Sequence, residues 1–195
     1  PGYMQLMARY PAVASVLTDP KVAIHVDDGR RWLKRHPDAR YDLIVMNTSF
    51  HWRANSTNLL SREFMAELAR HLHPEHGLMA FNTTQSLDAF LTAGEVFPVV
   101  YRHAGFAYAG FRPFRVEPEL ARARLAAVQV QGRPIFDAAD FDPGKAGDRL
   151  ARAELEPLQA LLARHAAPAK VITDANLMTE FRHGKRTGVA LLDRL

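Results

Sequence analysis

Residues Val22 to Trp52 read VAIHVDDGRRWLKRHPDARYDLIVMNTSFHW, and this stretch decides the fold class. It holds two apolar runs, 22–26 and 43–46. Each stops at a polar cluster: Asp27-Asp28-Gly29 after the first, Asn47-Thr48-Ser49 after the second. Short runs of mostly branched apolar residues, with helix-like residues 30–36 between them, are the pattern of buried parallel strands in an α/β unit. Ligands of open parallel sheets bind at the carboxyl ends of the strands, so both polar clusters are site candidates.

Downstream, the polar loop HWRANSTN follows Phe50. Ser61 then has the position of an N-cap for a helix through Leu72, with Phe64, Met65, Leu68 and Leu72 on one face. His73-Pro74-Glu75-His76-Gly77 reads as a helix stop and turn, and residues 78–81 as a third buried strand ending at Asn82-Thr83-Thr84. A helix from Ser86 or Asp88 to Phe97 is expected, then an antiparallel pair, 98–101 and 106–111, at the sheet edge around His103-Ala104-Gly105. Residues 117–128 form an arginine-rich amphipathic pattern, 132–147 are loop-like, and 150–165 read as a helix interrupted at Pro157. Upstream, residues 1–17 read as one helix that Pro11 must kink or split. The expected division is an α/β domain over 1–114 and a C-terminal helical extension over 115–195.

The chain has 195 residues, 48% of them hydrophobic and 24% charged, which suits a globular protein with a sizeable core. No apolar run approaches the roughly 20 residues of a membrane-spanning helix. The absence of cysteine excludes disulfides and thiolate metal sites and points to a cytoplasmic compartment. The formal charge of +4 comes from arginines scattered over several predicted helices rather than one basic face with interleaved aromatics, so no nucleic-acid partner is expected. Residue 1 is proline, and the chain is expected to be a piece of something longer.

These motifs, in this order, resemble the spermidine synthase-like branch of the class I methyltransferase fold. PGYMQLM is similar to the helix after that family's second strand, VDDGRRWL to the segment after its third, and YDLIVMNTSF to its fourth-strand motif. SREFMAELARHLHPEHG and LMAFNT are similar to the following helix, turn and fifth strand. The tail ITDANLMTEF resembles the Thr-Asp-Asp…Glu tail of bacterial spermidine synthase-like domains fused to membrane segments. The resemblance covers about residues 1–111 and implies a partial Rossmann-like sheet lacking its first strands. It also implies a cytoplasmic domain, attached or not to a membrane segment upstream, and leaves a homodimer open.

The resemblance implies an S-adenosyl ligand, S-adenosylmethionine or its decarboxylated form, with Asp28 accepting the adenine amino group and Gly29 letting the backbone approach closely. A carboxylate suits that role because it only accepts hydrogen bonds. The alternative reading of Asp28 is a helix N-cap, and the two roles divide between Asp27 and Asp28 or coexist. Asn47 and Thr48 complete the expected cofactor contacts. The glycine-rich loop and the ribose-binding acid of the family would precede Pro1.

Aminopropyltransferases carry two aspartates spaced D-x-x-D at the fourth strand end; this chain has Asn47 and Phe50 there. An amide is no base at neutral pH, which argues against aminopropyl transfer by that mechanism. Asn47-x-x-Phe50 is weakly similar to the Asn-Pro-Pro-aromatic motif of amino-group methyltransferases, in which an amide and a carbonyl accept substrate N–H bonds and an aromatic face stabilises a developing cation. Asn47, Phe50 and His51 are therefore the catalytic candidates. Trp52 as a stacking wall, Arg53 as an anion clamp and Asn82 are the substrate-binding candidates. Trp52 anchoring an ordered surface loop is the competing reading. His71, His73 and His76 lack metal-ligand spacing and read as a helix terminus, so no metal is expected. Asp174 and Glu180 read as partners of nearby arginines. The expected activity is transfer to a small-molecule amine; a non-catalytic binding or regulatory domain and an N-methyltransferase are the alternatives.

Overall fold

The computed structural model describes residues 2–47, 57–83, 85–130, 133–134, 145, 148–149, 154–165 and 168–176. The chain divides into two compact units, Pro1–Ala39 and Arg40–Leu195.

In the first unit, helix α1 (Gly2–Met7) and helix α2 (Pro11–Ala14) are separate, and a 3-10 turn, Ser15–Leu17, extends α2. Pro11 sits in the first turn of α2 and Tyr10 before it is extended, because the proline ring disfavours a helical residue in front of it. The helix expected over residues 1–17 is thus split at Pro11, one of the two outcomes expected of that proline. Helix α3 (Gly29–Arg35) starts at Asp28, whose carboxylate accepts the Arg31 backbone N–H at 2.9 Å. Leu33 is the one buried apolar side chain among the described residues of this unit.

The buried strand expected at residues 22–26 is not formed. These residues make no strand ladder, and Val22, Ile24 and Val26 are exposed. The apolar run has the composition of a buried strand, but a strand also needs a neighbouring strand to pair its N–H and C=O groups, and no described strand pairs with it.

The second unit is built on an open sheet of strands β1 (Leu43–Met46), β2 (Leu78–Asn82), β3 (Val99–His103), β4 (Phe106–Gly110) and β7 (Glu156–Pro157), in the order β1-β2-β4-β3-β7. β1 and β2 are parallel, from Leu43 opposite Leu78 to Met46 opposite Phe81, as their apolar runs predicted. β4 lies antiparallel between β2 and β3. The β3–β4 hairpin turns at Ala104-Gly105, with Ala104 at φ 52°. β2 is an interior strand, between β1 and β4, and Met79, Ala80 and Phe81 are buried.

Helix α4 (Arg62–His71) crosses from β1 to β2 and helix α5 (Leu87–Gly94) from β2 to β3. The apolar face expected of α4 is the buried one: Phe64, Met65, Leu68 and the terminal Leu72. Ser61 caps it, its hydroxyl oxygen accepting the Phe64 N–H at 3.2 Å. Gly77 closes the turn into β2. A Cβ there would lie 2.5 Å from the His73 carbonyl oxygen and 2.6 Å from its nitrogen, so only glycine fits.

Helix α6 (Pro118–Ala127) forms in the expected segment, but none of its residues is buried and Leu120 is exposed, so the expected amphipathic face is not found; strands β5 (Gln129–Val130) and β6 (Arg133–Pro134) form a short separate pair after it. The helix expected over 150–165 is shorter. Residues 156–157 are extended and pair with Arg102 and Tyr101 as β7, and helix α7 spans only Leu158–Ala163. Pro157 explains the boundary: it cannot continue a helix but fits an edge strand and the entry to a helix.

Residues 168–176 run as a strap over the helices. Alternate backbone N–H groups, of Lys170, Ile172 and Asp174, donate to the Asp88 carboxylate (2.8 Å), the Thr92 hydroxyl (2.8 Å) and the Glu63 carboxylate (3.0 Å). The Arg62 N–H donates to the Ile172 carbonyl at 2.8 Å, and Ile172 is buried. The strap accounts for the buried Asp88 and Thr92 of α5. No helix among the described residues is long and apolar enough to cross a membrane.

Candidate functional site

In the second unit the candidate site lies at the carboxyl ends of the parallel pair. Asn47 follows the last residue of β1 and Asn82 is the last residue of β2, so the parallel register sets the two amides side by side. The Asn82 Nδ2 donates to the Asn47 Oδ1 at 3.1 Å. Asn47 is exposed and Asn82 half-buried. Two residues picked separately from the sequence are thus brought into contact.

The floor beside Asn82 is set by Thr83, which is fully buried. Its backbone N–H and its hydroxyl both donate to the Gly105 carbonyl, at 3.0 and 2.9 Å, tying the end of β2 to the β3–β4 turn. The Gln85 N–H donates to the Thr83 hydroxyl oxygen at 3.2 Å, with Gln85 held at φ 66°. Ser86 then caps α5, accepting from Ala89 at 3.4 Å. Sequence reasoning placed the strand end at Asn82-Thr83-Thr84 but missed that Thr83 welds it to Gly105. The signal was present in the paired polar turns, and only the sheet order makes them neighbours.

Farther along the same end of the sheet, a cleft of about 580 Å³ opens between β3 and β7, lined by Arg102, His103, Glu154, Glu156 and Arg164. Glu156 lies between two guanidinium groups, 3.2 Å from Arg102 Nε and 2.9 Å from Arg164 Nη2.

In the first unit, Asp27 and Asp28 have divided their work. Asp28 is the cap of α3, as its position before the helix allowed. Asp27 accepts the Asp28 N–H at 2.9 Å and pairs with Arg31 at 2.6 Å and with Arg35; its side chain is only 13% exposed. Two guanidinium groups therefore occupy the carboxylate of Asp27, whereas Asp28 keeps a second oxygen with acceptor capacity. Gly29 has nothing within 4 Å of the position a Cβ would take, so the protein itself imposes no need for glycine there. A groove of about 520 Å³ beside Asp27 is lined by Trp32 and His36, whose rings stack at 4.0 Å, together with Ile24, His25, Val26 and Arg35.

Thr48, Phe50, His51, Trp52 and Arg53 lie outside the described residues, as does Glu180. Asp174, expected beside arginines, accepts the Ser61 hydroxyl at 2.6 Å. The three histidines at the end of α4 are engaged without a metal-like arrangement: His71 is buried 3.3 Å from Glu67, and His73 stacks on His76, which is 2.7 Å from Asp42. No group of three or more metal-ligating side chains occurs among the described residues.

No protein-family model matches this sequence, and no curated protein matches it.

Proposed function

We propose that this chain is a spermidine synthase-like domain of the Rossmann-like methyltransferase class, which binds an S-adenosyl ligand and serves transfer to a small-molecule amine. The observation that carries the reading is the hydrogen-bonded pair Asn47–Asn82 at the carboxyl ends of two adjacent parallel strands, where open α/β sheets take their ligands. The motifs YDLIVMNTSF and LMAFNT, which resemble consecutive strands of that family, contribute β1 and β2, and an antiparallel hairpin follows them.

The proposed ligand is S-adenosylmethionine or its decarboxylated form. Asp28 offers its second carboxylate oxygen to the adenine amine while it caps α3. Asn47 and Asn82 are placed to orient an acceptor substrate but cannot deprotonate it, because amides carry no basic site at neutral pH. Transfer to an amine that arrives neutral needs no protein base and is compatible with this pair, whereas the aspartate-assisted aminopropyl transfer of the resembled family would need a base that Asn47 cannot supply. Catalytic roles for Phe50 and His51, a cofactor contact from Thr48, and substrate contacts from Trp52 and Arg53 belong to the same proposal.

The same amide pair favours a second reading, a non-catalytic domain that keeps the fold for binding or regulation. Calorimetric titration of the full-length protein with S-adenosylmethionine and, separately, with decarboxylated S-adenosylmethionine tests both. Saturable binding of either supports the S-adenosyl ligand, and the tighter form names the transferred group. Absence of binding of both leaves the non-catalytic reading.

A further inference from the structure

The orientation of the strand-end amides restricts the substrate. The Asn47 Oδ1 accepts from Asn82 Nδ2, which turns the Asn47 NH₂ group away from its neighbour. An amide carbonyl has two lone pairs and an NH₂ group two protons, so Asn47 retains one acceptor direction and presents donors beside it. A single amine N–H satisfies the acceptor. The donors call for a carbonyl or carboxylate oxygen, and an ammonium group, which only donates, cannot meet them.

The surrounding sequence has the same character. No carboxylate occurs in residues 47–60, 82–87 or 103–116, the stretches that start where β1, β2 and β3 end. The nearest carboxylates that follow are committed elsewhere. Glu63 holds the Asp174 N–H, Asp88 holds the Lys170 N–H, Glu117 pairs with Arg115, and across the sheet Glu156 sits between Arg102 and Arg164. Glu154 lies by β7, four strands across from β1, roughly 19 Å at ordinary strand spacing. The chain carries a formal charge of +4, so its long-range field also opposes a polycation.

We propose that Asn47, oriented by Asn82, is a specificity-determining residue that selects an amine bearing a carbonyl or carboxylate group and rejects diamines. This rests on the reading of the site given above. A matched pair of probes tests it: 4-aminobutanoate and 1,4-diaminobutane share one carbon chain and differ in whether its far end is a carboxylate or an ammonium. Each is titrated calorimetrically into the full-length protein, with and without methylthioadenosine. The expected result is at least about tenfold tighter binding of 4-aminobutanoate, with Asn47→Asp reversing the preference by a similar factor. Equal or tighter binding of 1,4-diaminobutane by the unmodified protein, binding of neither amine, or an unchanged preference in Asn47→Asp overturns the proposal. The methylthioadenosine titration is read separately. If methylthioadenosine does not bind while the amine preference persists, the S-adenosyl assignment fails and the selectivity of the strand end stands.

Discussion

The hydroxyl of Ser61 donates to the carboxylate of Asp174 at 2.6 Å across 113 positions of sequence, while the same oxygen accepts the Phe64 N–H in the first turn of helix α4. One side chain thus caps a helix and anchors a distant strap. Ser61→Ala removes both bonds and is expected to destabilise the second unit by about 1–2 kcal/mol, the upper part of the range for a lost cap. Ile172→Ala, which empties a fully buried site between α4 and α5, is expected to cost more, about 2–5 kcal/mol. Urea unfolding of the two variants, compared by midpoint at constant slope, checks the order.

Acid should loosen the strap. Partial burial works to raise the Glu63 pKa, but the backbone N–H groups of Asp174 and Glu63 and the Arg62 guanidinium outweigh it and hold the carboxyl below its ordinary value. A carboxyl whose folded pKa is lowered contributes stability that is fully present above its unfolded pKa, about 4.3, and is lost as the pH falls through the folded value. Hydrogen exchange at the Asp174 amide should therefore be protected at pH 6 relative to an exposed amide and lose that protection only as the pH falls below the ordinary carboxylate range. Glu63→Gln, which keeps an acceptor without the charge, should flatten the pH dependence.

What the sequence revealed follows a physical division. Helix α4, strand β2 and the β3–β4 hairpin were legible because each carries its own signal: a cap followed by a 3.6-residue apolar face, an apolar run between turns, and two runs flanking a glycine. Residues 22–26 were misread because an apolar run reports the wish for a strand and not the presence of its partner. The β7 segment and the strap were not legible because their stability comes from contacts made 54 or more residues away, Arg102 with Glu156 or Thr92 with Ile172, that leave no local period. Asn47 and Asn82 were each visible as strand ends, but their hydrogen bond is a consequence of parallel register.

Gly77 should be intolerant of any side chain. A methyl group there meets the His73 backbone and the Leu72 Cβ, at 2.5 to 2.8 Å, and neither can swing aside as a flexible side-chain tip would. Gly77→Ala is expected to cost about 1–3 kcal/mol through displacement of the turn that starts β2. Gly29→Ala, with open space at its Cβ and no positive φ, should be neutral or slightly stabilising, as Gly-to-Ala changes in helices are. Thermal unfolding of the pair separates the two kinds of glycine.

Among the described residues strand β1 is an edge strand, with no charge in its four residues, LIVM, and both Leu43 and Val45 are more than half exposed. Unpaired backbone groups beside exposed branched side chains form a template for pairing with another strand. The 195-residue chain taken alone should therefore self-associate with increasing concentration. Val45→Lys, which sets a charge on the edge without disturbing the β2 side, should reduce that association. Sedimentation velocity over a concentration series is the measurement, and identical profiles for both proteins would count against the edge as the cause.

The two roles given to Asp28 can be separated by a substitution that preserves one of them. Asp28→Ala removes both the α3 cap, worth about 1 kcal/mol, and the acceptor proposed for the adenine amine, so a loss of ligand binding in that variant alone would be ambiguous. Serine caps helices about as well as aspartate, yet its hydroxyl lacks the second charged oxygen. Asp28→Ser should keep the helix content and thermal midpoint close to those of the unmodified protein while weakening S-adenosylmethionine binding by about tenfold, the order expected for a lost charge-assisted hydrogen bond. If both variants bind S-adenosylmethionine as the unmodified protein does, Asp28 is a cap and nothing more, and the adenine contact must be sought elsewhere. If only Asp28→Ala weakens binding, the helix start rather than the carboxylate is what the ligand needs.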